Sequence, residues 1–199
     1  GELFTQQALL MKPAYDRLQA AIKDAALDGG YDYVIDRSSR DVVLLYANSK
    51  HDLTLAGPIE VELYVSTTGT DADWIVKVID VLPAQNATDP KMGGYQLPIS
   101  LDIFRGRYRD SFAKPSAIPA GKVQHYRFRL PTVNHVFQPG HRVMVQVQSS
   151  LFPLYDRNPQ TYVPNIFTAP KDAYKKATVT IERGGSSPSA VWLPVVEAK

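Results

Sequence analysis

Cysteine is absent from this 199-residue sequence, which excludes disulfide bonds and thiolate metal sites. Basic and acidic residues nearly balance, at 22 and 20, and basic residues never follow one another for more than two positions. The sequence therefore lacks the basic patch of a nucleic-acid-binding protein, and we expect no nucleic-acid partner. No stretch approaches the roughly 18 apolar residues of a membrane-spanning helix, so we expect no membrane span. The first residues do not form a signal peptide, and we expect the chain to be a piece of a longer protein.

Catalytic motifs are also missing. The Gly-x-Ser-x-Gly sequence that carries the nucleophile of α/β-hydrolases does not occur, and the serines of residues 184–188 lie in a predicted turn. Phosphate-binding loops and dinucleotide-binding fingerprints are absent too. The histidines show no pair at the i, i+4 spacing of a metal site; they are His51, His125, His135 and His141. We therefore predict no catalytic residue and no cofactor in this chain.

Alternating apolar residues predict β-strands throughout the sequence after Leu55. Ile59, Val61, Leu63 and Val65 alternate with polar residues, which is typical of a strand with one buried face. Long, irregular connections separate the strands, as in a Greek-key or jelly-roll sandwich. We place residues 142–148 at the centre of this sandwich, after a tight Pro-Gly turn. The other predicted strands are residues 74–81 (apolar on nearly both faces), 101–109, 123–130 (burying Tyr126, Phe128 and Leu130), 177–182 and 190–196.

The front of the chain has a different character. Residues 5–28 carry an apolar stripe at steps of three and four, which predicts a helix ended by two glycines. Residues 31–36 and 42–47 are rich in β-forming residues and flank a polar turn, which predicts a hairpin. We place a boundary near Thr54, with a helix-plus-hairpin segment at 1–54 and a β-domain at 55–199.

Two polar groups are candidate binding sites. Asp71 and Asp73 flank one residue before a strand, and they are the sequence's calcium candidates, although a turn capped by aspartate explains them as well. Asp156, Arg157 and Asn158 form the most distinctive polar cluster; they suit either a substrate clamp or a set of contacts that stiffens a long loop. We predict no metal site beyond the two calcium candidates.

From Leu55 onward, the sequence resembles the C-terminal domain of the X-Pro dipeptidyl-peptidase and CocE/NonD hydrolases, which include glutaryl-7-aminocephalosporanic-acid acylases and α-amino-acid ester hydrolases. The resemblance implies a jelly roll of the galactose-binding-like type, beside a separate α/β-hydrolase domain that carries the Ser-Asp-His triad. No position here matches that triad, so the implied partner is the catalytic domain of the parent protein. The family also favours a periplasmic or secreted location. The matching stretches are residues 55–61, 65–81, 104–112, 140–150, 152–160 and 188–195.

In such enzymes the jelly roll packs beside the catalytic domain and borders the substrate pocket. If the same holds here, the excursion at 92–97 and the loop at 152–158 are the segments expected at that edge. The first contains Tyr95 and Gln96 after two glycines, and the second contains two aromatic and three polar residues. The individual candidates for the substrate edge or domain interface are Tyr95, Gln96, Phe152, Tyr155, Asp156, Arg157 and Asn158.

Residues 5–54 resemble the tail of OmpH/Skp-type periplasmic chaperones, in which a helix and two strands help to build a trimerising body. A competing interpretation makes residues 36–54 the lead-in strand of the hydrolase family's own sandwich. The chaperone resemblance would imply a homo-oligomer, but the long arms that grip a client are missing here.

Three functions follow. The first is a non-catalytic C-terminal β-sandwich domain of a dipeptidyl-peptidase, acylase or ester hydrolase, which supports the catalytic domain. The second is a carbohydrate- or calcium-binding module, which saturable binding of either ligand would favour. The third is a trimerising structural protein, which a concentration-independent trimer would favour.

Overall fold

The computed structural model describes Ala21 and residues 33–36, 43–47 and 52–196. Most of the predicted helix at 5–28 lies outside the described residues; Ala21 is helical and exposed. Strand β1 (Tyr33–Asp36) pairs antiparallel with β2 (Val43–Ala47), which confirms the predicted hairpin strands.

The chain divides into two compact units. The smaller contains residues 1–52, 80–97 and 137–144, and the larger contains residues 53–79, 98–136 and 145–199. The division at Thr54 that the sequence suggests remains a prediction.

The longest strand, β3 (Leu53–Thr67), lies in the middle of a four-stranded sheet. Strand β6 (Gln124–Phe137) is its neighbour on one side. On the other side β3 pairs antiparallel with two short strands, β8 (Val179–Ile181) along its last residues and β9 (Ala190–Trp192) along its middle. The predicted alternation of β3 is confirmed, since Ile59, Val61, Leu63 and Val65 are all buried. This face of β3 forms a continuous part of the core.

A second sheet has the order β5-β4-β7, where β4 is Asp73–Val81, β5 is Gln96–Arg105 and β7 is Arg142–Gln148. Eight of the nine residues of β4 are buried, which confirms the predicted central strand. The expectation that β7 is central was wrong, because β7 stands at the end of this order and only Val143 in it is buried. A period of two shows that one face of a strand is buried, but it does not show where the strand lies in a sheet. The two antiparallel sheets confirm a mainly β protein of the sandwich type.

Two strands are longer or earlier than their sequence patterns predict. β5 begins at Gln96 rather than at Leu101, and after Arg105 the chain turns through a short 3₁₀ segment at Gly106–Tyr108. β6 continues to Phe137, past the expected end at Leu130. Its buried residues change from even to odd numbers after Pro131, so a local irregularity hides the continuation. Of the three side chains expected to be buried in β6, Tyr126 and Leu130 are buried and Phe128 is half-buried.

In the described part of the chain, no helix is long and apolar enough to cross a membrane.

Candidate functional site

The loop at 152–158, which the sequence marks as a candidate substrate edge, is anchored at its end. Asn158 is buried, and its amide nitrogen donates to Oδ1 of Asp73 at 3.0 Å. Its side-chain oxygen accepts from the backbone N–H of Gln160 at 2.8 Å. The backbone N–H of Tyr155 donates to the carbonyl oxygen of Leu151 at 3.0 Å. Asn158 is therefore an anchoring residue rather than one that faces a ligand.

The tip of the same loop is apolar and exposed. Phe152 and Leu154 are 65% and 63% exposed. The guanidinium of Arg157 lies 5.7 Å from the ring centroid of Phe152 and 5.5 Å from that of Tyr174, close enough for cation–π attraction to both. The sequence suggested that Arg157 could take part in contacts that stiffen the loop, and in the structure its guanidinium lies over these aromatic rings. Exposed aromatic residues beside an arginine are typical of a protein or ligand interface.

Tyr155 occupies an intermediate position between the buried anchor and the exposed tip. Partial burial raises the pKa of its hydroxyl, and the nearby carboxylate of Asp102 raises it further. Asp156 is exposed to solvent. The structure thus places Phe152, Asp156 and Arg157 on the accessible side of the loop.

Asp71, one of the two calcium candidates, forms a buried ion pair with Arg107. Oδ2 of Asp71 lies 2.9 Å from Nε and 2.7 Å from Nη2 of Arg107, and the two side chains are 0% and 3% exposed. Oδ1 of Asp71 accepts from the backbone N–H of Ala72 at 2.9 Å. Arg107 also donates to the carbonyl oxygen of Val163 at 2.7 Å and stacks on Tyr162 at 4.9 Å. This pair links the start of β4 to the end of β5 and to the chain near residue 163.

Asp73, the second calcium candidate, is also buried and faces a cation. Its Oδ2 lies 3.4 Å from Nη1 of Arg105, and its Oδ1 accepts from Asn158. Burial raises the pKa of Asp73 to about 6, although the positive charge of Arg105 and the Asn158 hydrogen bond act in the opposite direction. Both candidate carboxylates therefore have arginine partners. Within residues 52–196 and the two short strands before them, no three histidine or acidic side chains are grouped as a metal site would require.

A pocket of about 390 Å³ lies beside these arginines in the larger unit. Arg105, Arg107 and Asn165 supply its polar groups, and its apolar lining residues are Tyr108, Pro164, Ile166 and Phe167. The sequence analysis did not identify this pocket. The one signal that could have pointed to it is the alternation of arginines at 105, 107 and 109, of which the first two line the pocket.

The other predicted segment, at 92–97, belongs to the smaller unit. A short 3₁₀ turn at Pro90–Met92 precedes it, capped by the carboxylate of Asp89. The backbone of Tyr95 is held on both sides, since its N–H donates to Met92 and its carbonyl accepts from Leu82. Its side chain is 46% exposed, and Gln96 is exposed as well.

Two histidines each contact a carboxylate rather than forming a joint site. Nδ1 of His141 lies 2.8 Å from Oδ1 of the buried Asp80 in the smaller unit. In the larger unit, Nε2 of His125 lies 2.6 Å from Oε1 of Glu62, and its ring stacks on Tyr64 at 4.3 Å.

Comparison with known proteins identifies the family. The model of the X-Pro dipeptidyl-peptidase C-terminal non-catalytic domain matches residues 4–191. The chain belongs to this family. It is 33% identical over 160 residues to the cocaine esterase of Rhodococcus sp. (strain MB1 Bresler), a match that covers 79% of this chain and 26% of the esterase.

Solved structures of the family agree with the fold. An α-amino acid ester hydrolase is 58% identical with a TM-score of 0.70. This match covers 73% of the present chain and 24% of the ester hydrolase chain. An aminopeptidase from the marine sediment archaeon Thaumarchaeota archaeon is 51% identical with a TM-score of 0.72, covering 76% of this chain and 25% of its own. The chain therefore spans about a quarter of the length of these relatives.

The family match also bears on the front segment. Because it begins at residue 4, it includes all of residues 5–54, the segment that resembles the OmpH/Skp chaperone tail. This range favours the competing interpretation, in which residues 36–54 belong to the hydrolase family's own domain. The chaperone resemblance is not supported.

Proposed function

We propose that this non-catalytic domain packs against the α/β-hydrolase catalytic domain of a peptidase, acylase or ester hydrolase, and that its loop at 152–158 borders the substrate pocket. The observation that carries the proposal is the construction of this loop. Its end is fixed to Asp73 through Asn158, while Phe152 and Arg157 remain on the surface. A loop that is rigid at its base and aromatic at its tip loses little conformational entropy when it contacts a partner.

The relatives support the catalytic part of this proposal. Their names are those of an esterase, an ester hydrolase and an aminopeptidase. Their shared chemistry suggests a parent enzyme of the same general class. Tyr95 and Gln96, exposed in the smaller unit, are the second proposed contribution to the substrate edge.

Association with a separately produced catalytic domain of the parent tests the packing. Phe152→Ala and Arg157→Ala should each weaken binding roughly fivefold or more, as expected for residues central to an interface. Trp192→Ala is the matched control, since this exposed aromatic residue lies on β9 outside the loop. Equal affinities for all four proteins would refute the packing proposal.

Turnover in the parent enzyme tests the pocket edge. Because both side chains are proposed to border the substrate, Tyr95→Ala and Asp156→Ala should lower kcat/KM severalfold. Both side chains are exposed, so neither substitution should disturb folding. A melting temperature for each variant separates lost activity from lost folding. Unchanged turnover in both variants would remove these residues from the substrate edge.

A further inference from the structure

The three alternating arginines after the middle of β5 use their guanidinium groups differently. Arg107 is bound to Asp71 and to a backbone carbonyl oxygen. Arg109 donates to three backbone carbonyl oxygens, at 3.2, 3.1 and 2.7 Å. The guanidinium of Arg105 makes no hydrogen bond to a side chain or carbonyl oxygen of the described residues; its polar contact is the 3.4 Å ion pair between Nη1 and Asp73. Its donors are therefore the least committed of the three.

Arg105 lies in the wall of a cavity. Its side chain is 19% exposed and lines the pocket of about 390 Å³. That volume is within the range of about 300–1,000 Å³ that is typical of small-molecule sites. Nη1 is buried and lies toward Asp73, so the exposed part of the side chain consists of its other atoms.

The rest of the lining is largely apolar. Phe167 is 72% exposed although it is a large aromatic residue, and Tyr108 is half-buried. Asn165 uses its side-chain oxygen to accept from the backbone N–H of Phe167 at 2.9 Å, and its amide nitrogen makes no hydrogen bond to the described residues. No acidic residue is among the residues that line the pocket. Two arginines surround this space, Arg107 already paired with Asp71 and Arg105 less committed, together with the amide donor of Asn165 and two aromatic rings.

We propose that this pocket binds a carboxylate carried on an apolar or aromatic group, with Arg105 as its anion partner and Phe167 and Tyr108 in contact with the apolar part. A planar guanidinium matches a carboxylate with two parallel N–H···O bonds, and this geometry is stronger than neutral hydrogen bonding. The aromatic walls add apolar burial for the attached group. The inference does not depend on contact with a catalytic domain.

Asp73 would compete with a bound carboxylate for the guanidinium of Arg105. It shares Arg105, but it is buried, it also accepts from Asn158, and burial raises its pKa to about 6. A carboxyl group that resists ionisation holds a neighbouring cation less tightly near that pH. An incoming carboxylate with an ordinary pKa remains ionised there and competes well for Arg105.

Calorimetric titration of the 199-residue chain with 3-phenylpropionate tests the site. We expect saturable binding, with little or none for 3-phenylpropanol, which lacks the charge, or for propionate, which lacks the ring. Arg105→Gln should weaken binding roughly tenfold or more through loss of the charged hydrogen bonds. Phe167→Ala should weaken it severalfold, and because this side chain is 72% exposed its removal should leave folding unchanged.

Arg127→Gln and Trp192→Ala are the matched controls, since both side chains are exposed and neither lines the pocket. Both should bind like the unmodified chain. Failure of 3-phenylpropionate to saturate, equal binding of the alcohol, or full binding by Arg105→Gln and Phe167→Ala would each overturn the proposal.

The carboxylate could belong to a free acid or to the end of a peptide, and competition distinguishes them. A tetrapeptide that ends in phenylalanine is compared with its C-terminal amide. Tighter binding of the free peptide than of 3-phenylpropionate assigns the site to peptide ends, and weaker binding assigns it to small acids. Equal binding of the peptide and its amide would contradict the role of the carboxylate.

Discussion

The ion pair between Asp71 and Arg107 provides the sharpest test of what holds the larger unit together. Asp71→Ala removes the carboxylate and leaves Arg107 almost fully buried, at 3% exposure, without its counter-charge. The remaining contacts of Arg107 are the carbonyl oxygen of Val163 and the ring of Tyr162. Neither carries a full negative charge, so the guanidinium would be left poorly compensated.

The expected loss of stability is large. Breaking a buried pair by removing one partner costs about 3–5 kcal/mol, because the other charge stays desolvated. For a chain of this size that corresponds to a drop in melting temperature of roughly 6–20 °C. Replacing both partners, as in Asp71→Ala with Arg107→Met, removes the unpaired charge, and this double variant should recover a substantial part of the loss.

Thermal and urea unfolding, followed by circular dichroism, measure these differences. Arg127→Ala is the matched control, because Arg127 pairs with Glu60 on the surface, where its side chain is 67% exposed. Solvent screens such a pair, so no measurable change in melting temperature is expected. If Asp71→Ala unfolds within 1 °C of the unmodified chain, or if the double variant is no more stable than the single one, the buried pair does not stabilise the larger unit in this way.

Two further predictions concern the same region. Because burial raises the pKa of Asp73 from 3.8 to about 6, its contribution to stability is complete below pH 4 and is lost as the pH rises through 6. Asp73→Asn should therefore gain about 2–3 kcal/mol relative to the unmodified chain between pH 4 and 7 in urea unfolding; a pH-independent difference would contradict this. Gly106→Ala should destabilise by about 1–3 kcal/mol, since an added Cβ would lie 2.6 Å from side-chain atoms of both Ile118 and Trp74. An unchanged melting temperature would contradict the close packing at Gly106.

The local pattern of apolar residues was sufficient to predict the strands that bury one face or both faces in the core. The alternation from Ile59 to Val65 follows directly from burial of one side of β3. The continuous apolar run in β4 likewise follows from its central place in its sheet. The strand β6 was predicted too short, since Pro131 and the change of buried positions after it interrupt the alternation that marks a strand.

Long-range pairing could not be predicted in the same way. Asp71 and Arg107 are 36 residues apart, and an aspartate before a strand is equally typical of a turn, a cap or a calcium ligand. The edge position of β7 depends on which strands pair with it, and its own sequence does not encode that. Only folding brings these partners together.

The candidate site shows the same limit. The loop at 152–158 could be singled out because Asp156, Arg157 and Asn158 form an unusual polar group. Their separate roles could not be assigned from the sequence, since Asn158 is buried against Asp73 while Arg157 lies over aromatic rings. Tyr174, one of those rings, lies outside the predicted loop and carries no local signal that it meets Arg157.

The most direct test of the central claim is hydrolysis by this chain alone. The 199-residue chain is incubated with p-nitrophenyl esters and an X-Pro chromogenic substrate, beside a parent protein that contains the catalytic domain, and light scattering gives the mass of each sample. If the domain is non-catalytic, the chain alone should show no turnover and the parent should show clear turnover. Turnover by the chain alone that a serine-reactive phosphonate abolishes would contradict the account, because it would require a nucleophile within this sequence.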